Sequence, residues 1–140
     1  MNFWDTSAFI EAQNPASQSH SRAKGLLLQK TRHAASALIQ PEAASALTRN
    51  LKPDSAAADA ACMLALEALS RFNLYPVDAD VIDASVEIAR RNALRGADSI
   101  HLATALLLAR ESGRRGFVFI TLDREQAAAA RQRGLRVVVP

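Results

Sequence analysis

A chain of 140 residues, 49% of them apolar, is long enough to bury a core without disulfide staples and too hydrophobic to stay disordered. Its one cysteine, Cys62, excludes an internal disulfide, and no apolar run reaches the length of a membrane span. The net charge of +3 and pI of 9.6 rest mostly on arginine, with lysine only at Lys24, Lys30 and Lys52; that balance is compatible with nucleic acid but does not identify it.

Abundant alanine and few aromatics predict a helix-rich, single domain spanning 1–140. Met1 to Trp4 reads as a short buried strand. Thr6 and Ser7 supply capping chemistry for a helix to about Gln13, which Asn14-Pro15 breaks. Ser19 to Lys30 carries an apolar stripe of Ala23, Leu26 and Leu27, and His33 to Ile39 reads as a second strand. Pro41 suits the first turn of a helix running to about Asn50, and Lys52-Pro53 ends it. Asp54 or Ser55 caps the next helix, with Met63, Leu64, Leu66 and Leu69 along it. Asn73 to Val77 is a third strand. Asp78 or Asp80 starts a helix bearing Val81, Ile82, Val86 and Ile88. The strongest helix, Ala97 to Glu111, follows Arg95-Gly96 and closes at Gly113. Phe117 to Thr121 is a fourth strand, Asp123 caps a helix through Arg133, and Leu135 to Val139 is the last strand. Strands alternating with helices imply a parallel sheet covered on both faces, an α/β/α sandwich of four to five strands.

In such open sheets the site lies at the carboxyl ends of the strands. Asp5 and Asp123 fall there, Glu42 follows the second strand within a helical turn, and Asp98 stands in the first turn of its helix, where the dipole favours a carboxylate. Four carboxylates brought together repel, and desolvation adds to the cost. That composition calls for a cation, and hard oxygen ligands favour Mg²⁺, with Mn²⁺ as the alternative. Thr6, Ser7 and Thr121 are hydroxyls beside the acids, placed either to orient a carboxylate or to cap a helix. His101 shares a face with Asp98 through its i, i+3 spacing and reads foremost as a hydrogen-bonded structural histidine. Glu125, two residues after Asp123, either reaches the groove or, as such residues more often do, forms a solvated helix face. Arg90, Arg91 and Arg95 precede Asp98 and either grip phosphates or form a solvated face. A phosphoacceptor signalling module also gathers acids at a sheet rim, but it needs a late lysine, and none follows Lys52. A binding protein with a decayed site is disfavoured by the presence of all four acids.

Four short strings, in order, resemble a known family. They are Phe3-Trp4-Asp5-Thr6-Ser7-Ala8, Pro41-Glu42-Ala43-Ala44-Ser45-Ala46-Leu47, Leu94-Arg95-Gly96-Ala97-Asp98-Ser99-Ile100-His101-Leu102-Ala103-Thr104-Ala105, and Ile120-Thr121-Leu122-Asp123-Arg124. Together they resemble a PIN-domain ribonuclease of the kind that serves as the toxin of a VapBC-type toxin–antitoxin pair. The resemblance implies a PIN-like three-layer sandwich and metal-dependent endonucleolytic cleavage of RNA. It implies Asp5, Glu42, Asp98 and Asp123 as metal ligands and catalytic residues, and Arg90, Arg91 and Arg95 as contacts to RNA or to an antitoxin's tail. It also implies a cognate antitoxin, a homodimer and a cytoplasmic setting, in keeping with an unpaired cysteine and the lack of a signal-peptide pattern. A PIN-type nuclease that processes RNA or cuts DNA, without an antitoxin, fits the same acids.

Overall fold

The computed structural model describes residues 1–51 and 55–140. Its elements are β1 (Asn2–Trp4), α1 (Thr6–Gln13), α2 (His20–Leu27), β2 (His33–Ser36), α3 (Ile39–Asn50), α4 (Ala56–Leu69), β3 (Asn73–Tyr75), α5 (Ala79–Asn92), α6 (Gly96–Ser112), β4 (Val118–Ile120), α7 (Arg124–Gln132) and β5 (Arg136–Val138). All strand pairs are parallel and the sheet order is β3-β2-β1-β4-β5. Parallel strands need crossovers, and the helices supply them.

Each short strand splits its side chains between two apolar layers because successive residues face opposite ways. Phe3, Ala34 and Phe119 pack into one layer with Val81 and Ile88 of α5, Leu102 and Leu106 of α6, and Ala130 of α7. Trp4, Ala35 and Ile120 pack into the other with Phe9 of α1, Ala23 of α2, Ile39 of α3 and Leu69 of α4. In that second layer Trp4 Nε1 donates to His33 Nδ1 at 2.9 Å, and Phe72 stacks on the His33 ring. Burial leads the causes that pull the His33 pKa below its ordinary value.

The structure trims several sequence expectations. β2 stops at Ser36 and α3 begins at Ile39, ahead of Pro41, because the Ser36 hydroxyl accepts from Leu38 N at 3.3 Å and turns the chain. α2 covers His20–Leu27, inside the expected 19–30. β3 stops at Tyr75 before Pro76, which has no N–H for a ladder. Ser55 caps α4 through Ala58 N; Lys52-Pro53 and Asp54 lie outside the described residues. Asp78, rather than Asp80, caps α5 through Val81 N. α5 ends on Ala93 in the left-handed region, φ 53°, and three residues later α6 opens at Gly96 without a side-chain cap.

Candidate functional site

β1 is the middle strand, flanked by β2 and β4, so chain connections leave it in both directions. A crevice opens at such a switch point beyond the strands' carboxyl ends. The residue that follows β1 there is Asp5. It is 3% exposed and caps α1 by accepting from Ser7 N at 3.1 Å. The same oxygen, Oδ2, accepts from Ser7 Oγ at 2.5 Å and Thr121 Oγ1 at 3.1 Å, while Oδ1 accepts from Gln126 Nε2 at 3.1 Å. A carboxylate with donors on both oxygens is held in one orientation.

Ser7 and Thr121 also connect β1 to the chain after β4. Ser7 Oγ accepts from Leu122 N at 3.0 Å, and Thr121 Oγ1 accepts from Asp123 N at 3.0 Å. Asp123 in turn caps α7, accepting from Gln126 N at 2.7 Å. Thr6 and Ser7 do not cap α1 as their chemistry predicts: Asp5 is its N-cap and both hydroxyl residues lie inside the helix; the Ser7 hydroxyl instead donates to the Asp5 carboxylate.

Glu42, one turn into α3, accepts on Oε2 from Thr6 Oγ1 and from His101 Nε2, the latter at 2.7 Å. Burial opposes the charged form of Glu42, but the hydrogen bonds from His101 and Thr6 and the His101 charge outweigh it, so its pKa lies below the ordinary value. His101 is 1% exposed. Burial pulls its pKa down, yet the bond to Glu42 and the charges of Asp5, Glu42 and Asp98 carry it above the ordinary value. The hydrogen-bonded reading of His101 stands, with Glu42 as its partner.

Asp98 sits in the first turn of α6, half-buried. Burial pushes its carboxyl up, and the charges of Asp5, Asp123 and Glu42 add to that against an opposing pull from His101; the pKa reaches about 6. The charges of the other three predicted acids thus all reach Asp98. Among the described residues, however, no three His, Cys, Asp or Glu side chains are arranged to ligate one ion together.

The arginines fall outside this cluster's hydrogen bonds. Arg90, Arg91 and Arg95 are exposed, and Arg91 pairs with Glu87 at 3.2 Å on the surface of α5. Glu125 is exposed as well. The sequence reading missed Gln126. It is 0% exposed, and its Nε2 also donates to the Asp98 backbone oxygen at 3.1 Å. The available signal was a glutamine at the head of the alanine-rich side of α7, which reads as ordinary helix.

Comparison with known proteins places this geometry. No curated protein matches the chain. Among solved structures, VapC20 of Mycobacterium tuberculosis, described as a sarcin–ricin loop cleaving toxin, is similar over 100% of both chains with 23% identity and a TM-score of 0.73. FitAcB from Neisseria gonorrhoeae is similar over 98% of this chain and 96% of its own, at 20% identity and a TM-score of 0.68. A toxin–antitoxin complex from Klebsiella pneumoniae covers 99% and 96%, at 21% identity and a TM-score of 0.67. At these identities the likeness is one of fold. The model of the PIN domain matches residues 3–132, nearly the whole chain, and on that match the protein belongs to the PIN domain family.

Proposed function

We propose that the protein is a metal-dependent endoribonuclease and the toxin of a toxin–antitoxin pair, with Asp5, Glu42, Asp98 and Asp123 as its catalytic, metal-holding residues. One observation carries the reading: four acids from separate parts of the chain meet at the switch point, and their charges help drive the Asp98 pKa to about 6. Unquenched repulsion of this kind is a cost that a cation removes. The donor set fits Mg²⁺ or Mn²⁺ by type, since both take carboxylate oxygen. Mg²⁺ keeps several of its own waters, so contacts made partly through water accord with there being no ready-made three-ligand group among the described residues.

When bound, such an ion lowers the pKa of water towards neutrality and neutralises charge on an attacked phosphate. The protein's own part is to aim the acids. Ser7 and Thr121 hold Asp5 with hydroxyl donors. Thr6 and His101 hold Glu42 in its charged form. Asp98 gives up its proton more readily once a cation offsets its neighbours, so ion binding is proton-linked and weakens as pH falls through about 6. Arg90, Arg91 and Arg95 are exposed and available to RNA phosphate or to an acidic tail.

An antitoxin partner is supported by the company the fold keeps, including the Klebsiella pneumoniae toxin–antitoxin complex. Exposed apolar side chains support it too: Met63 and Leu64 on α4 are 67% and 64% exposed, the kind of surface that an antitoxin or a second copy in a homodimer covers. No helix among the described residues is long and apolar enough to cross a membrane, and a cytoplasmic setting is part of the proposal.

The test follows RNA cleavage by the wild type, Asp5→Ala and Asp98→Ala with Mg²⁺, Mn²⁺ or EDTA. Cleavage by the wild type alone, abolished by EDTA, is expected; equal cleavage by all three proteins, or cleavage that survives EDTA, rules the mechanism out. Growth arrest on expression, relieved by the product of an adjacent small gene, separates a toxin from an RNA-processing nuclease, and a DNA substrate in parallel settles the sugar preference.

A further inference from the structure

Gln126 occupies the third position of α7, three residues after the N-cap Asp123. A glutamine there ordinarily completes a capping box, its side chain reaching back to the N-cap N–H. In this protein it does not. Thr121 Oγ1 accepts from Asp123 N at 3.0 Å instead, and the Gln126 side chain turns inward. Its Nε2 donates to Asp5 Oδ1 and to the Asp98 backbone oxygen, both at 3.1 Å. Both partners are acceptors, so the amide has one sensible orientation: a flip would set its oxygen against two other oxygens. That orientation leaves Oε1 buried with no hydrogen-bond partner among the described residues. An unpaired buried carbonyl is costly. A residue kept only to cap or to fill space has a better arrangement open to it, namely the capping box it forgoes.

We infer that Gln126 is a positioning residue of the acidic site, its single amide nitrogen tying the Asp5 carboxylate to the backbone at Asp98 and so fixing how the two acids stand relative to each other. The tie joins the end of β1 to the first turn of α6, segments 93 residues apart in sequence (98 − 5), through a third element. Asp5 Oδ1 has no other protein donor among the described residues, so without Gln126 only the three bonds to Oδ2 hold the carboxylate and nothing links it to the backbone at Asp98. Partners of this kind behind metal-holding side chains are generally worth 10–100-fold in metal affinity or activity. The inference rests on the metal-dependent reading proposed above.

Three proteins decide it: wild type, Gln126→Leu and Gln126→Glu, each first checked for a cooperative thermal melt. The readouts are Mn²⁺ affinity by calorimetry and kcat for RNA cleavage across pH 5.5–8.5. Gln126→Leu keeps the size and loses the donor; at least a tenfold weaker Mn²⁺ affinity is expected. Gln126→Glu is the sharper variant. As a helix cap it is as good as glutamine or better, so a purely structural role predicts no loss of affinity and no change in the pH profile. As a neighbour of Asp5 Oδ1 it must carry a proton to fit. Mn²⁺ affinity near wild type at the acid end, with a loss that widens as pH rises, is therefore expected. Mn²⁺ affinities for both folded variants within twofold of wild type at every pH overturn the positioning role. If the Leu variant fails to melt cooperatively, the Glu profile alone decides. Wild type that binds no Mn²⁺ overturns the metal reading itself, and this inference with it, a result distinct from normal binding by the variants.

Discussion

Asp98 stands in an environment far from the ordinary one for a carboxyl. Its carboxyl is raised from 3.8 to about 6, by burial first and by Asp5, Asp123 and Glu42 next. A raised carboxyl pKa means that the folded state holds a proton that the unfolded state has already released. The metal-free protein therefore loses stability as pH climbs from about 4 through 6, and bears the full penalty above that. Asp98→Asn removes the charge and keeps the shape. The variant is expected to melt higher than wild type at pH 7.5 without metal, to lose that advantage near pH 4, and to lose RNA cleavage throughout. Thermal melts at both pH values in EDTA check this; a variant that melts lower than wild type at pH 7.5 contradicts the repulsion. In the Glu42–His101 pair, by contrast, the charged form of each partner is the favoured one. Glu42, lowered, stabilises above its unfolded value and loses the effect as pH falls through its folded pKa; His101, raised, stabilises below 6.5 and loses the effect as pH rises through its folded pKa.

At the scale of elements, the stretch from α5 to α6 decides where Asp98 stands. Ala93 takes φ 53° as the C-cap of α5, and Leu94, 7% exposed, then anchors the turn in the core. A left-handed alanine costs roughly 1–2 kcal/mol, a strain that glycine avoids. Ala93→Gly is expected to gain about 0.5–1 kcal/mol in chemical denaturation, the larger unfolded-state entropy of glycine offsetting part of the relief. No gain would mean that the turn is held by something other than its caps. Gly134, at φ 79°, does a different job after α7: the Arg114 guanidinium lies 2.6 Å from where a Cβ would stand, and donates to Arg133 O at 2.9 Å. Element existence was legible because periodicity and caps are local; all five strands and the caps Ser55, Asp78 and Asp123 are found where the residues pointed. Ends were less so. Ser36 and Pro76 cut two strands short through one side-chain bond and one missing N–H, which an apolar pattern does not register.

For the whole molecule, the repulsion that Asp98 feels is a cost of the metal-free state that a bound cation offsets. Mn²⁺ or Mg²⁺ that binds only the folded form is expected to stabilise it by about 2.7 kcal/mol at a hundred times the dissociation constant. Melting curves with and without Mn²⁺, reversed by EDTA, measure this, and Asp5→Ala is expected to erase the shift. An equal shift in Asp5→Ala would place the ion elsewhere. The apolar stripes on α4 and α5 make a related point. Leu69, Val81 and Ile88 are buried as their spacing implies, yet Met63, Leu64 and Val86 face solvent. A helix pattern says which residues share a face, not whether this chain or another covers it.

What the residues alone determined is the class of fold; they also singled out the four acids proposed as the site. Alternating strand and helix periods demand a parallel sheet, and acids just after strands or opening helices must lie near its carboxyl edge. The tertiary structure decided the company those acids keep. Gln126 reaches Asp5, His101 reaches Glu42, and Thr121 does the capping that frees Gln126, all across gaps of 59 to 121 residues apart from the two-residue step of Thr121 to Asp123. Hydrogen bonds act over about 3 Å of space whatever the separation along the chain, so only the folded arrangement selects them.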